Sequence, residues 1–256
     1  LRISQHEADT IQDLLDFVLN EAVALMESEI GYIYHYREEE QLFILNTWSK
    51  EVMNQCSVLE PQTIYELDKT GIWGEVVRQR KPIVVNDFQA PNPLKKGYPE
   101  GHVDLRKYMS VPVFRENQIV AVVGVANKQT DYTQTDVWQL SLLMDSVWKI
   151  VDRKRAEEAV RKSEAYIRSI LDNLPIGVAV NSVDPTVTFS YMNDNFAKYY
   201  RTTKEAMAEP DAFWEAAYQD ADFREVIKKR VREGVASGDP QRMRWEDVPI
   251  TREGEE

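Results

Sequence analysis

Hydrophobic side chains in residues 9–26 recur at 11, 14, 15, 18, 19, 22, 23, 25 and 26, the spacing of a helix with one broad buried face. Two β-rich runs follow, 30–36 and 41–48. The polar residues 37–40 part them, a pattern that predicts a hairpin. A short strand near 63–67, a helix from about 72 to 79 opened by Thr70-Gly71, and a strand at 82–87 come next. Residues 108–114 and 118–128 make a second hairpin across 115–117. The stretch from Ile119 to Val125 is apolar on both faces, so this strand belongs in the middle of a sheet.

A long helix is predicted from Thr133, with Thr133 or Thr135 as its cap, Asp136 in the first turn, and apolar positions at 137, 140, 143/144, 147 and 150/151. Residues 152–164 keep helix-forming side chains without Pro or Gly, while the apolar stripe shrinks to alanines and Val160. Two readings stay open: a solvated helix, or a connecting helix paired with its twin in a parallel dimer. A strict a/d heptad is not sustained. A helix at 165–175, strands at 176–182 and 187–193 joined by Asp184-Pro185, short helices at about 194–201, 203–208, 211–218 and 220–236, and a strand at 243–250 complete the pattern.

Residues 88–106 interrupt it. They hold three prolines and two glycines with no sustained periodicity, and a loop of that length in a small domain is usually functional or disordered. The block Asn92, Tyr98, Pro99, Glu100, Gly101 and His102 is the main candidate: prolines and glycines make the backbone irregular and expose N–H groups of the other residues to a small polar ligand. Asn86 and Asp87 end the strand that delivers this loop. Trp48, Met53, Cys56, Trp73 and Met109 are the candidates for the pocket wall. Each has a plain alternative: core packing for the Trp and Met residues, a buried thiol for Cys56, a backbone-bonded loop residue for His102. His35 belongs either to a solvent face or to the pocket, and His6 is a helix residue.

Composition removes whole classes of function. With 31 Lys and Arg against 43 Asp and Glu, the 256-residue chain carries a net charge of −12, which disfavours a nucleic-acid partner. One cysteine and three histidines, none of them after His102, exclude a disulfide framework, a Cys-rich zinc site and an iron–sulfur cluster within one chain. No apolar run approaches the roughly 18–20 residues that cross a bilayer, so no membrane partner is expected within this segment and the expected compartment is the reducing cytoplasm. The chain opens on Leu1, as expected of a segment of something longer. It lacks a nucleophile elbow, a phosphate loop and the kinase ATP-site glycines, and is not expected to be an enzyme by itself.

Residues 1–150 resemble a GAF domain. Asn127-Lys128, Tyr132 and Asp136 follow the family pattern N-K-x(n)-F-x3-D-E, with tyrosine for the aromatic position and Val137 where the final acid stands. The blocks TWSKEVMNQC (47–56), TGIWGEVVRQRKPIVVND (70–87), APNPLKKGYPEGH (90–102) and MSVPVF (109–114) are similar to the GAF domains of bacterial and archaeal multidomain sensor histidine kinases. The resemblance implies an α+β fold: an antiparallel sheet flanked by helices, a long connecting helix, and an ion pair of Lys128 with Asp136 beside the pocket. The departure at Val137 puts cyclic-nucleotide binding in doubt.

Residues 166–256 resemble the first part of a PAS domain, through SEAYIRSILDNLPIGVAVNS and FSYMNDNFAKYY with Glu164, Gly177 and Asn193 at their junctions. PAS modules need about five strands and three are evident, so this portion reads as truncated. Residues 151–165 are the linker helix between the two. The implied function is a sensory segment of a two-component system. It binds a small molecule in the GAF pocket, passes the event through the linker to the PAS and downstream kinase domains, and forms a homodimer through the 133–171 helix. Two rivals stand beside it: a haem-based redox or gas sensor using Cys56 or His102, and a ligand-free dimerising GAF domain whose pocket Trp48, Trp73 and Met109 close. No cofactor is otherwise assigned.

Overall fold

In the computed structural model, which describes residues 8–50, 63–96, 103–183, 186–246 and 248–250, helix α1 (Ile11–Leu25) begins at a reciprocal cap. Thr10 Oγ1 accepts from the Asp13 N–H and the Asp13 carboxylate accepts from the Thr10 N–H. Its buried stripe is Leu14, Leu15, Val18, Leu19, Ala22 and Val23, the face that the periodicity marks. The chain divides into two compact units, Leu1–Glu158 and Ala159–Glu256.

The first unit is built on six strands: β1 (Ile30–Arg37), β2 (Leu42–Trp48), β3 (Ile64–Glu66), β4 (Ile83–Val85), β5 (Tyr108–Arg115) and β6 (Gln118–Ala126). They form one antiparallel sheet in the order β3-β2-β1-β6-β5-β4. β6 is central, flanked by β1 and β5, as its two-sided apolar run requires. The β5–β6 turn places Glu116 and Asn117 at φ 47° and 67°, the left-handed pairing of a two-residue hairpin.

Strand alternation gives the sheet two lined faces. On one, Ile33, Met109, Val111, Val113, Ala121, Val123 and Val125 pack against α1 and against the first half of helix α3 (Gln134–Asn173), whose Leu140, Met144, Val147, Trp148 and Val151 are buried. On the other, Tyr34, Tyr36, Phe43, Ile119 and Val122 pack under the segment 67–77. That segment is two 3-10 turns (Leu67–Lys69 and Ile72–Gly74) followed by the single-turn helix α2 (Glu75–Arg78), so residues 72–79 follow a tighter path than the continuous helix of the sequence pattern. Gly74 makes the path possible, since a Cβ there would sit 1.8 Å from Thr70 Oγ1. Arg78 then ties the segment together through the carbonyls of Leu67 and Thr70 and the carboxylate of Glu75.

Helix α3 starts at a buried polar junction. Asp136 accepts from the Thr133 N–H and hydroxyl, each at 2.7 Å, and from Lys128 Nζ at 2.6 Å. Burial works against the Asp136 carboxylate, but the Lys128 and Thr133 hydrogen bonds outweigh it and hold its pKa below the ordinary carboxylate range. Further along, Arg115 at the end of β5 reaches both Asp145 and Asp152 of α3. Removing a buried tryptophan such as Trp148 costs about 3–5 kcal/mol, whereas a surface ion pair contributes about 0–1 kcal/mol. The apolar stripe therefore attaches α3, and Arg115 sets its register. Residues 165–173 belong to this same helix and not to a separate one, because no Pro or Gly occurs before Pro175.

The second unit holds a two-stranded antiparallel hairpin, β7 (Ala179–Ser182) and β8 (Thr188–Met192), and helices α4 (Asp194–Tyr199), α5 (Ala212–Ala217) and α6 (Ala221–Ser237). Val187, Met207, Phe213, Trp214, Tyr218 and Ile227 form its core. Asn193, fully buried, uses its whole hydrogen-bonding capacity: Nδ2 donates to the carbonyls of Leu171 and Ile176, and Oδ1 accepts from the N–H groups of Val178 and Phe196. The strand expected at 243–250 does not form among the described residues. A 3-10 turn (Pro240–Met243) sends the chain back against α6, where the Arg242 carbonyl and the Trp245 ring close on Gly234.

Two stability outcomes follow from these junctions. Asp136→Asn leaves Lys128 buried without its counter-charge and lowers the unfolding free energy at pH 7 by about 3 kcal/mol in urea titrations. Because the folded pKa is depressed, this contribution is complete above the ordinary Asp value near 4 and fades as pH falls through the lower folded value. The gap between wild type and variant must therefore narrow toward pH 2–3, and a gap independent of pH would contradict the assignment. Asn193→Ala strands four backbone groups and raises hydrogen exchange in β7, β8 and α4 by at least about tenfold, with β1, β5 and β6 unchanged.

Candidate functional site

One row across the sheet organises its second face. Register pairs Ile83 with Ser110, Ser110 with Gly124, Gly124 with Tyr32, and Tyr32 with Trp48, so these five residues share a face. Gly124 in the middle has a specific role: a Cβ there would lie 2.4 Å from the Tyr32 ring. Without that Cβ, the Tyr32 ring lies across the strand and its hydroxyl meets that of Tyr108 at 2.7 Å. Ser110 Oγ, fully buried, lies within reach of both phenols.

Beside this hydroxyl group stands an aromatic cluster centred on Trp73. Its ring centroid is 4.7 Å from Phe43, 5.4 Å from Tyr65, 5.5 Å from Tyr34 and 6.5 Å from Tyr32. The Trp48 indole N–H reaches the Tyr34 hydroxyl. Phe88 continues the wall toward Tyr108, at 6.1 Å. Burial pushes the Tyr108 phenol up to about 12 and the Tyr32 and Tyr34 phenols further still. All three stay neutral at physiological pH, so among the described residues these phenols offer hydrogen bonds and π-faces and no charge. No group of three His, Cys, Asp or Glu able to hold a metal exists among the described residues.

The residues expected at the pocket divide. Trp48 and Trp73 join the aromatic face. Met109 lies on the opposite face of the sheet, in the core shared with α1 and α3, because it is one residue out of phase with Tyr108 and Ser110. Asn86 is engaged elsewhere: it donates to the Tyr132 carbonyl at 3.0 Å and accepts from the Tyr132 N–H at 2.8 Å, fastening the approach to α3. Asp87 caps the following turn by accepting from the Gln89 and Ala90 N–H groups. Lys128 and Asp136 pair at the start of α3. Met53, Cys56, Tyr98, Glu100 and His102 lie outside the described residues.

Sequence reasoning passed over Tyr32, Tyr34, Phe43, Tyr65, Tyr108, Ser110 and Gly124. The alternation Tyr32, Tyr34, Tyr36 was the available signal, since an i, i+2 series of tyrosines in a strand lines one face. A separate cleft of about 360 Å3 lies over Asp68, Thr70, Glu75, Arg78, Leu94 and Lys96. Its central charges, Glu75 and Arg78, are already bound to each other at 2.7 Å.

The GAF domain family model matches residues 8–152. A curated relative, the methyl sulfide methyltransferase-associated sensor of Methanosarcina acetivorans, is 44% identical over 161 residues, covering 63% of this chain and 16% of that protein. The chain thus spans about one sixth of the length of the relative it matches. Among solved structures, the GAF domain of a phosphoenolpyruvate-protein phosphotransferase from Coxiella burnetii aligns with a TM-score of 0.50 at 15% identity, over 62% of this chain and 93% of that one. The GAF domain of the Acinetobacter phosphoenolpyruvate-protein phosphotransferase aligns with a TM-score of 0.48 at 20% identity, over 60% and 91%. The Coxiella likeness is one of fold, and it agrees with the six-stranded antiparallel sheet. Matched over more than half its length by the family model, this chain belongs to the GAF domain family.

Proposed function

We propose that the chain is the sensory segment of a longer signalling protein, binding a small uncharged molecule on the aromatic face of its GAF sheet and passing the event to α3. One observation carries this reading. The face opposite α1 and α3 combines neutral π-surfaces with a buried group of three hydroxyls, Tyr32, Tyr108 and Ser110, while the other face of the same strands packs the first half of α3. In this reading Trp73 rests in the ligand's place and is displaced by it. A ligand shifts α3 only by its differential affinity for the two arrangements. The uncharged lining favours a neutral ligand with a hydrogen-bonding edge over a phosphate or carboxylate. The segment acts by binding and carries no catalysis of its own.

The name of the Methanosarcina relative, a sensor, supports the signalling role. We extend the reading to the whole protein as follows: residues 166–256 form PAS-like structure, with the hairpin closed by Asn193 as its supporting feature; kinase domains lie downstream; and the protein works in the cytoplasm. No helix among the described residues is long and apolar enough to cross a membrane. A second copy of the chain is the expected partner of α3. In support, Trp138 and Leu142 are 66% and 69% exposed on it, and Val160, Ile167 and Ile170 follow in a charged stretch.

Native mass spectrometry on the protein purified from its own cells should show a small-molecule adduct. The double variant Tyr32→Phe/Tyr108→Phe should hold it about tenfold more weakly, the worth of a hydrogen bond to a buried site. Bare protein in both cases contradicts the ligand reading. For the dimer, Val160→Cys in a Cys56→Ser background should cross-link rapidly on mild oxidation, and a protein that stays monomeric at micromolar concentration contradicts it.

A further inference from the structure

On the helix-facing side of the sheet, a chain of amides runs from a carboxylate to an imidazole. Gln12 Nε2 donates to Asp16 Oδ1 at 2.8 Å, both on α1. The carboxylate accepts only, so the Gln12 amide is oriented with Oε1 toward Asn46 of β2. Asn46 Nδ2 therefore faces Gln12 Oε1, at 3.0 Å, and the same nitrogen stands 3.2 Å from His35 Nε2 on β1. Asp16 thus dictates the state of His35 two links away: Nε2 must accept, and the ring proton must sit on Nδ1. The other face of the imidazole belongs to α3, with the His35 and Trp148 rings edge to face at 6.1 Å. Two further polar atoms here are buried without a hydrogen-bond partner among the described residues, Asn46 Oδ1 and Trp148 Nε1.

We propose that His35 is a proton-operated switch that couples the sheet to the packing of α3. A second proton on Nε2 would oppose a donor to the Asn46 donor. Relief requires the Asn46 amide to turn over, presenting its unpartnered Oδ1 to the imidazolium. That move brings Oδ1 toward Gln12 Oε1, which cannot turn while Asp16 holds its amide, so the side-chain link between Gln12 and Asn46 opens and α1 keeps only the bond from Gln12 Nε2 to the Asn46 carbonyl, at 3.2 Å. The new charge also faces Arg155 on α3. The carboxylates of the adjoining stretch of α3, Asp145 and Asp152, are engaged by Arg115. The β2 and β6 residues opposite His35 are Ile44 and Ala121, which bring no charge. Burial first, and Arg155 second, lower the His35 pKa from its ordinary 6.5. With a depressed folded pKa, the neutral network is intact above about 6.5 and is lost as pH falls through the lower folded value. The switch needs no ligand on the aromatic face, so it stands or falls apart from the proposed function.

Nitrogen-15 long-range correlation spectra of the whole chain test it, with the Trp148 indole assigned through Trp148→Phe. At pH 8 the His35 ring should show a bare Nε2 and a protonated Nδ1. On acidification the Trp148 Nε1–H and the Gln12 and Asn46 amide resonances should move with the His35 midpoint. His35→Phe should abolish that movement. Asn46→Asp, which puts an anion against the ring, should raise the midpoint by about 1–3 pH units. A proton on Nε2 at pH 8, a Trp148 signal that ignores the His35 midpoint or still moves in His35→Phe, or an unshifted midpoint in Asn46→Asp would overturn the proposal.

Discussion

The first unit depends on one constraint: its sheet is a single wall with both faces lined. Neighbouring residues of a strand point to opposite sides, so β1 sends Tyr32, Tyr34 and Tyr36 to the aromatic face and Ile33 and His35 to the helices. β6 is apolar on both sides because it is buried throughout from Ala121 to Ala126, and Gly124 leaves a gap in its side-chain cover on the aromatic face. A dense interior transmits displacement from one layer to the next. The backbone between Tyr32 and Ile33 is one direct link between the candidate site and the layer packed on α3.

Helix α3 makes that link useful. Its first half is held by a buried stripe ending at Val151, clamped at its start by Lys128, Thr133 and Asp136 and set in register by Arg115. Beyond Val151 it runs on as helix to Asn173 with largely exposed side chains. In the proposed reading, a helix anchored along one half and solvated along the other reports changes at the anchor, and its capping junction and the His35 chain are the polar points where the anchor would be adjusted.

Much of the fold was legible in the sequence because its signals are local. The capped helix α1, both hairpins, the central place of β6 and the start of α3 at Thr133 each follow from periodicity, turn residues or capping chemistry within a few positions. The lost strand at 243–250 fails for the opposite reason: alternation does not supply a partner, and Pro240 turns the chain toward Gly234 of α6. The candidate site was legible only in part. Trp48 and Trp73 lie on the aromatic face, Met109, one residue out of phase with Tyr108 and Ser110, lies on the helix side, and Asn86 and Asp87 spend their polar atoms on Tyr132, Gln89 and Ala90. The hydroxyl group of Tyr32, Tyr108 and Ser110 comes from strands more than seventy residues apart, and only the register across Gly124 brings it together.

The central claim is that the aromatic face and α3 are two sides of one element. It is tested most directly by hydrogen exchange on Gly124→Ala. The added methyl must displace the Tyr32 ring without touching any residue on the helix side. The account predicts faster exchange along α3 between Val137 and Val151, with α6 of the second unit unchanged. Unaltered exchange in α3, with Tyr32 shown to have moved, would contradict it.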